Sequence, residues 1–496
     1  MKFKQMVFWL TVLLIYIMAT RISIDSDTWW HLRAGKWMIE NRQIITSDYF
    51  SYTRYGSKWL YPGWLIQVPM AWIEAAIGLG GLNILTGLFI AITFAFEYLT
   101  LKGNELARAF LSVLAATVSG VYWSARPHLV TLLFTALFLY LLERGAHQGF
   151  AQFRKWLWIV LPLVMLAWVN MHGGFIIGFL IWGIYLVELL IQRLFTAWSE
   201  RRRLWEALHS EDISTLLIAG LVMGLVAMLN PLGYQIYLYP LRTVSIQKLQ
   251  VYIQEWQSPD FHSLSMQPFI WLCILLFIGS AFSGRRWALR DVLFVSIFLY
   301  LALMAGRNVA LFALVAPLPI TRALEHIELQ DLSIRFRSLS ALARQSNSAK
   351  ERPVLNLILV GLVLLACVYR SAMAFPQNNI FKELSRFYPI GAVEYLKEKR
   401  PQGRLYNSYN WGAYLLWTLP EYAAFVDGRT DLYDDEILDQ WFQIAQAQDG
   451  WEQVVERWNI QIILMEKEWR MSKLFQQSGW CQTYHDDVAV VLEKCP

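Results

Sequence analysis

The sequence predicts a polytopic α-helical membrane protein in which about eleven transmembrane helices are followed by a soluble extracytoplasmic α/β domain. Three observations carry the prediction: an apolar composition, a ladder of apolar runs each close to a bilayer in length, and an abrupt change of pattern near residue 374. Of the 496 residues, 56% are hydrophobic and 16% charged, against roughly 45–50% and about 25% in soluble domains. A surface that faces hydrocarbon must do without charge, because nothing there replaces an ion's hydration.

A helix that crosses a bilayer needs about 20 mostly apolar residues. Runs approaching that length lie at 5–22, 80–100, 106–123, 128–143, 156–170, 174–192, 213–230, 268–283, 289–305, 307–323 and 353–373. The first follows Lys2 and Lys4 as a secretory leader would. It has no small-residue cleavage site and leads into further apolar runs, so it reads as a retained span. Orientation follows from Lys and Arg in short loops, which favour the cytoplasm. With the N-terminus cytoplasmic, five successive basic loops fall inside, from Lys102 and Arg108 to the stretch Arg335 to Arg352, and the opposite short loops contain almost only Arg126 and Arg307. That places 23–79, 124–127, 171–173, 231–267 and the chain beyond 374 outside.

Within the loop 23–79, helices are expected at 28–40 and 64–77, the second too short to span and amphipathic enough to lie at the interface. The stretch 324–352 reads as an exposed cytoplasmic linker. Residues 1–373 thus form the membrane domain and 374–496 the soluble one. In the latter, the pattern gives helices at 390–399, 411–418, 434–446 and 450–458, strands near 403–407, 422–426 and 460–465, and a hairpin near 480–493. Cys481 and Cys495 flank that hairpin; they pair if the compartment is oxidising or remain thiols. There is no nucleic-acid motif, no CxxC metal pair and no internal repeat.

Chemistry must reside in the polar residues outside the spans. The first loop contains Asp25, Asp27, Trp29, Trp30 and His31, then Asp48 and Ser51. A carboxylate directly after a span stands where a reaction at the membrane surface needs a base. Asp25 or Asp27 equally suits the cap of the following helix, and the two tryptophans suit interfacial anchors. Arg126, His172, Glu255 and Arg307 gather at outer span ends, where long side chains can snorkel to water. Their confinement to one face points to a site, and the two arginines are planar donors suited to phosphate oxygens. In the tail, Tyr409 to Tyr414 and Asp427-Gly428-Arg429-Thr430-Asp431 stand out, as a turn after a strand or as a lid.

A first span, an acidic outer loop, an interfacial helix, a ladder of spans and an outward α/β tail resemble the GT-C superfamily of membrane glycosyltransferases, which includes protein O-mannosyltransferases and aminoarabinose transferases. The motifs resemble bacterial members with a D-x-W-W-H-L-x-x-G pattern, here Asp27 to Gly35, together with Asp48-x-Phe50-Ser51, Arg126-Pro127, Asn170-x-His172-Gly173, Asn230-Pro231, Glu255-Trp256, Asn410-Trp411-Gly412 and Asp427-Gly428-Arg429. Nearly the whole chain is covered.

The resemblance implies an inverting enzyme of a bacterial plasma membrane that moves a sugar from a polyprenyl-phosphate donor to a glycan, lipid or protein acceptor at the outer face. It implies Asp27 as general base, Arg126, Arg307 and His172 at the donor phosphate, His31 and Asp48 in support, and Asn410, Trp411, Asp427 and Arg429 as an acceptor contact or lid. The first loop lacks the adjacent Asp-Glu pair of many O-mannosyltransferases, which leaves Asp25 or Asp48 as alternative bases. Asp25-x-Asp27 would also serve a divalent cation, as in oligosaccharyltransferase relatives, although two carboxylates alone make an incomplete site. Two other classes compete. A lipid-linked sugar transporter predicts ionisable groups near the bilayer midplane and inverted repeats, whereas Glu97, Arg108, Glu188 and Asp291 lie near expected cytoplasmic ends. A non-catalytic assembly protein predicts Asp27 turned away from Arg126 and Arg307.

Overall fold

The structure, a computed structural model, describes residues 1–201, 203, 208–245, 253–282, 286–324, 352–468, 475 and 479–495. The expected linker 324–352 lies almost wholly outside the described residues. All eleven apolar runs are helical. Eight helices are long and apolar enough to cross a bilayer. The other three, α1 (Phe3–Ala19), α9 (Glu211–Ala227) and α12 (Leu289–Met304), have 17, 17 and 16 residues. At about 1.5 Å per residue they reach only about 25 Å, short of the ~30 Å hydrocarbon layer.

The remaining bundle helices are α4 (Leu79–Thr100), α5 (Glu105–Ser119), α6 (His128–Gln148), α7 (Arg154–Met171), α8 (Ile176–Ser199), α11 (Gln267–Phe282), the pair α13 (Val309–Val315) and α14 (Pro317–Leu324), and α15 (Pro353–Ala374). The pair results from Pro317 and Pro319, which cannot donate to the helical ladder and crowd the preceding carbonyls. It forms the centre of the bundle, 78% buried, whereas α15 is 11% buried and presents its apolar surface outward.

In the first loop, α2 (Ser26–Asn41) starts at Asp25, whose side chain accepts from Asp27 N at 2.9 Å. Asp25 therefore takes the capping role and leaves the Asp27 carboxylate free. Helix α3 (Trp64–Ile77), 14 residues long, lies against α2. The two touch at Gly35, where a Cβ would stand 2.1 Å from the Gln67 carbonyl oxygen.

After α15, the chain forms α16 (Gln377–Leu384), which the pattern did not reveal, then α17 (Ile390–Lys399), β1 (Arg404–Asn407), α18 (Tyr409–Thr418), α19 (Thr430–Ala445), α20 (Trp451–Arg457), β2 (Ile460–Glu466), β3 (Trp480–His485) and β4 (Ala489–Lys494). Helix α10 (Tyr239–Ser245) precedes these, between α9 and α11. The sheet order is β1-β2-β4-β3, with β1 and β2 parallel and the other pairs antiparallel. Cys481 and Cys495 form a disulfide.

The strand expected at 422–426 does not join this sheet. Its residues Ala424, Phe425 and Val426 are fully buried, as the apolar run requires, but they pair with the first loop. Tyr52 N donates to Ala424 O at 3.1 Å, Ala424 N to Phe50 O at 3.2 Å and Thr53 Oγ1 to Phe425 O at 2.6 Å. Beside this pairing, Arg429 is sealed from water and donates to Asp48 and Asp427, each at 2.7 Å, while Tyr433 OH donates to Asp427 at 2.6 Å. Trp29, expected as an interfacial anchor, instead packs edge-on against Tyr388 and Tyr414 of the tail.

Removing one member of such a buried group strands the others. Arg429→Met leaves two desolvated carboxylates without a counterion, and a loss of about 3–5 kcal/mol is expected. Thermal unfolding of the solubilised protein reads it; an unchanged midpoint would mean the seam is held by its backbone pairing alone.

Candidate active site

The seam brings the tail over the α2 start and encloses a cavity of about 730 Å³. Its floor is built by three carboxylates and two arginines. Arg126 stands just before α6, fixed by Pro127 at the helix cap. Its Nη1 donates to Asp27 Oδ2 at 2.8 Å, its Nη2 to Glu255 Oε2 at 2.9 Å, and its Nε lies 3.4 Å from Asp25 Oδ2. Nη1 and Nη2 thus each donate to a carboxylate, while Nε donates to His128 Nδ1 at 3.4 Å. Arg307 is held more loosely: it lies over the Trp256 ring at 4.4 Å and 3.7 Å from Glu255, with a third of its side chain exposed.

This sharing splits the two carboxylates. Burial pushes the Asp27 pKa up to about 7, with Asp25 and Glu255 adding to the rise and Arg126 opposing it. Glu255 is partly buried too, but Arg126 and Arg307 together hold it at about 2. Carboxylates driven apart in this way take different roles, one titrating near neutrality and one remaining charged.

The histidines are neutral. Burial lowers His31 and His172 well below the usual imidazole range, with Arg126 and Arg307 respectively adding to the shift. His31 Nδ1 meets the Gln67 side-chain amide at 3.0 Å. His172 Nδ1 faces Thr131 Oγ1 at 2.7 Å and accepts from Gly174 N at 3.1 Å. With Nδ1 so occupied as an acceptor, the Nε2 of each ring carries the proton and is a donor.

No family model matches the sequence, and no curated protein does. Among solved structures, the chain superposes on the oligosaccharyltransferase of Archaeoglobus fulgidus. Against the form tethered to an acceptor peptide with the NVT sequon, the TM-score is 0.56 at 13% identity, over 98% of this chain and 74% of that one. Against the apo form it is 0.54 at 13% identity, over 94% and 69%. The fold is GT-C. A weaker match, to ArnT from Cupriavidus metallidurans in the apo state, has a TM-score of 0.45 at 13% identity over 98% and 97% of the chains.

On this GT-C frame, Asp27, His31, Arg126, His172, Arg307 and Asn410 all line the one cavity. Four expected site residues do not. Asp48, Asp427 and Arg429 form the sealed seam, fully buried, so neither a catalytic role for Asp48 nor a lid role for the other two is open to them. Trp411 is 3% exposed and donates to Phe387 O at 2.9 Å, inside the tail's core. The Asp-Gly-Arg motif reaches the site through its glycine instead: a Cβ on Gly428 would lie 2.1 Å from Asp27 Oδ1. Glu255 lacked an assigned role in the sequence although its motif stood out. Tyr61, Tyr239 and Asp431 also line the cavity, from segments too distant in sequence for any spacing to join them.

The donors do not fit a divalent cation. Among the described residues no three His, Cys, Asp or Glu side chains converge to hold one. Asp25, Asp27 and Glu255 all face the Arg126 guanidinium, whose charge takes the space a cation would need.

Because its folded pKa is raised, Asp27 holds its proton below about pH 7 and is ionised above it. Infrared difference spectra across about pH 5–9 are expected to show one carboxylic acid band bleaching near neutrality. Asp27→Asn removes that band and Gly428→Ala shifts it; a band that survives Asp27→Asn would assign the titration elsewhere.

Proposed function

We propose that this protein is a glycosyltransferase that moves a sugar from a polyprenyl-phosphate donor to a hydroxyl of a glycan, lipid or protein acceptor, inverting the anomeric centre. The observation that carries the reading is a carboxylate tuned to about 7, Asp27, in the same cavity as a loosely held guanidinium, Arg307. The GT-C fold shared with an oligosaccharyltransferase supports it.

Asp27 takes the acceptor hydroxyl's proton, since a base near the working pH combines availability with driving force. The oxygen attacks the anomeric carbon opposite the phosphate. The carbon–oxygen bond to phosphate breaks, its electron pair leaves with the lipid phosphate, and Arg307 and the His172 N–H stabilise the charge that develops. Arg126, expected at the phosphate, is engaged by Asp27, Glu255 and His128 and acts as a positioning residue that aims Asp27. No step passes through a metal.

The cavity end is assigned to the extracytoplasmic side of a bacterial plasma membrane. The sequence's basic loops are expected on the opposite, cytoplasmic side, and the Cys481–Cys495 disulfide suits an oxidising compartment. A transport path would need open ionisable groups along the bundle. One group of them away from the cavity is instead closed on itself: Arg322 pairs with Glu143 at 2.6 Å and with Asp291, and Arg290 with Glu143 and Glu188 at 3.6 and 3.4 Å.

In membranes that supply the native acceptor, wild type releases polyprenyl phosphate from its lipid-phosphate sugar, and Asp27→Asn loses about 10²-fold or more at unchanged stability. Equal turnover would remove Asp27 from the mechanism. The same assay with a chelator is expected to lose nothing; abolished turnover would return a cation to the site.

A further inference from the structure

The cavity wall opposite Arg126 has a different chemistry. Asp431, in the first turn of α19, has no ion pair among the described residues. Among the described residues its side-chain partners are two long hydrogen bonds, from Trp59 Nε1 at 3.4 Å and Tyr239 OH at 3.3 Å, beside a backbone hydrogen bond. Arg429, two residues earlier, is committed to Asp48 and Asp427. An ionised carboxylate accepts about four hydrogen bonds, so this one faces the cavity with most of its capacity unmet.

Its surroundings are built around it. Tyr61 feels the charges of both Asp431 and Asp27, and Tyr409 those of Asp27, Glu255 and Asp431. Both phenols line the same cavity as Asp431 and the proposed base. Tyr239 reaches Asp431 because residue 173 is glycine: a Cβ there would meet its ring at 2.8 Å. Burial keeps all three phenols protonated and able to donate.

Three ligand chemistries can be compared at this wall. A phosphate would be repelled by the carboxylate and belongs at Arg307. An alkyl chain would desolvate the carboxylate and satisfy nothing. A sugar ring supplies hydroxyl donors for the carboxylate, oxygen acceptors for the phenols and a C–H face for the aromatic rings. We propose that Asp431 is the residue that reads the transferred sugar, accepting hydrogen bonds from two neighbouring hydroxyls on the side of the ring away from the phosphate. The substrate class is therefore a donor whose sugar bears free vicinal hydroxyls. This rests on the transferase reading for which sugar is bound, but its test is one of binding.

The full chain in lipid nanodiscs is titrated calorimetrically with farnesyl phosphate, farnesyl-phosphate hexoses and their monodeoxy analogues. For wild type, removing one particular hydroxyl is expected to weaken binding about 10- to 100-fold, the cost of stranding a buried polar partner. Asp431→Asn levels that difference to within about 3-fold and leaves farnesyl phosphate unchanged, whereas Arg307→Ala weakens every ligand alike. Discrimination that survives Asp431→Asn, hexoses that bind no better than farnesyl phosphate, or a preference for an aminohexose would each overturn the proposal. Discrimination by Asp431 with no sugar release in native membranes would support it and overturn the transferase reading alone.

Discussion

The site depends on one guanidinium that never meets water. Arg429 joins Asp48, from the first loop, to Asp427, from the tail, and its charge makes it possible to bury two carboxylates that would otherwise be too costly to desolvate. With the loop and tail locked there, Gly428 is pressed against Asp27 and Asp431 is held across the cavity. The geometry of the proposed chemistry is thus set by a group about 0% exposed that touches no substrate.

A second arginine does the opposite work. Arg126 faces three carboxylates, and one cation cannot neutralise three negative charges. Glu255 recruits Arg307 as well and stays ionised; Asp27 is left undercompensated and keeps its proton to about 7. The spread between them is a property of how cations are divided rather than of either residue alone. The same division explains why Arg126 is unsuited to the phosphate role that its motif and position implied.

Much of the architecture was legible because it rests on local rules. Apolar runs give helices, and all eleven runs became helices, but their lengths did not translate directly into spans, because α1, α9 and α12 stop at 17, 17 and 16 residues. The 422–426 run illustrates the limit: burial of Ala424, Phe425 and Val426 could be read from their side chains, whereas the identity of their partner, Ser51 and its neighbours, is a long-range fact that no period encodes. At the site, Asp27, His31, Arg126, His172, Arg307 and Asn410 were found together because they share a membrane face. Asp48, Asp427, Arg429 and Trp411 lie outside the cavity, because polarity and motif density mark buried networks as strongly as they mark functional ones. Asp431 gave no signal of its own: its significance is that it lacks the ion pair its neighbours have, and that is visible only in three dimensions.

The sheet order carries a consequence for synthesis. β4, Ala489–Lys494, lies between β2 and β3, so the tail has no continuous sheet until those residues have left the ribosome. The first loop, made long before, must wait with its Asp48 uncompensated while every intervening helix is inserted into the bilayer. Asp27 and the cavity wall that carries Asp431 therefore come together only after the intervening helices have been made.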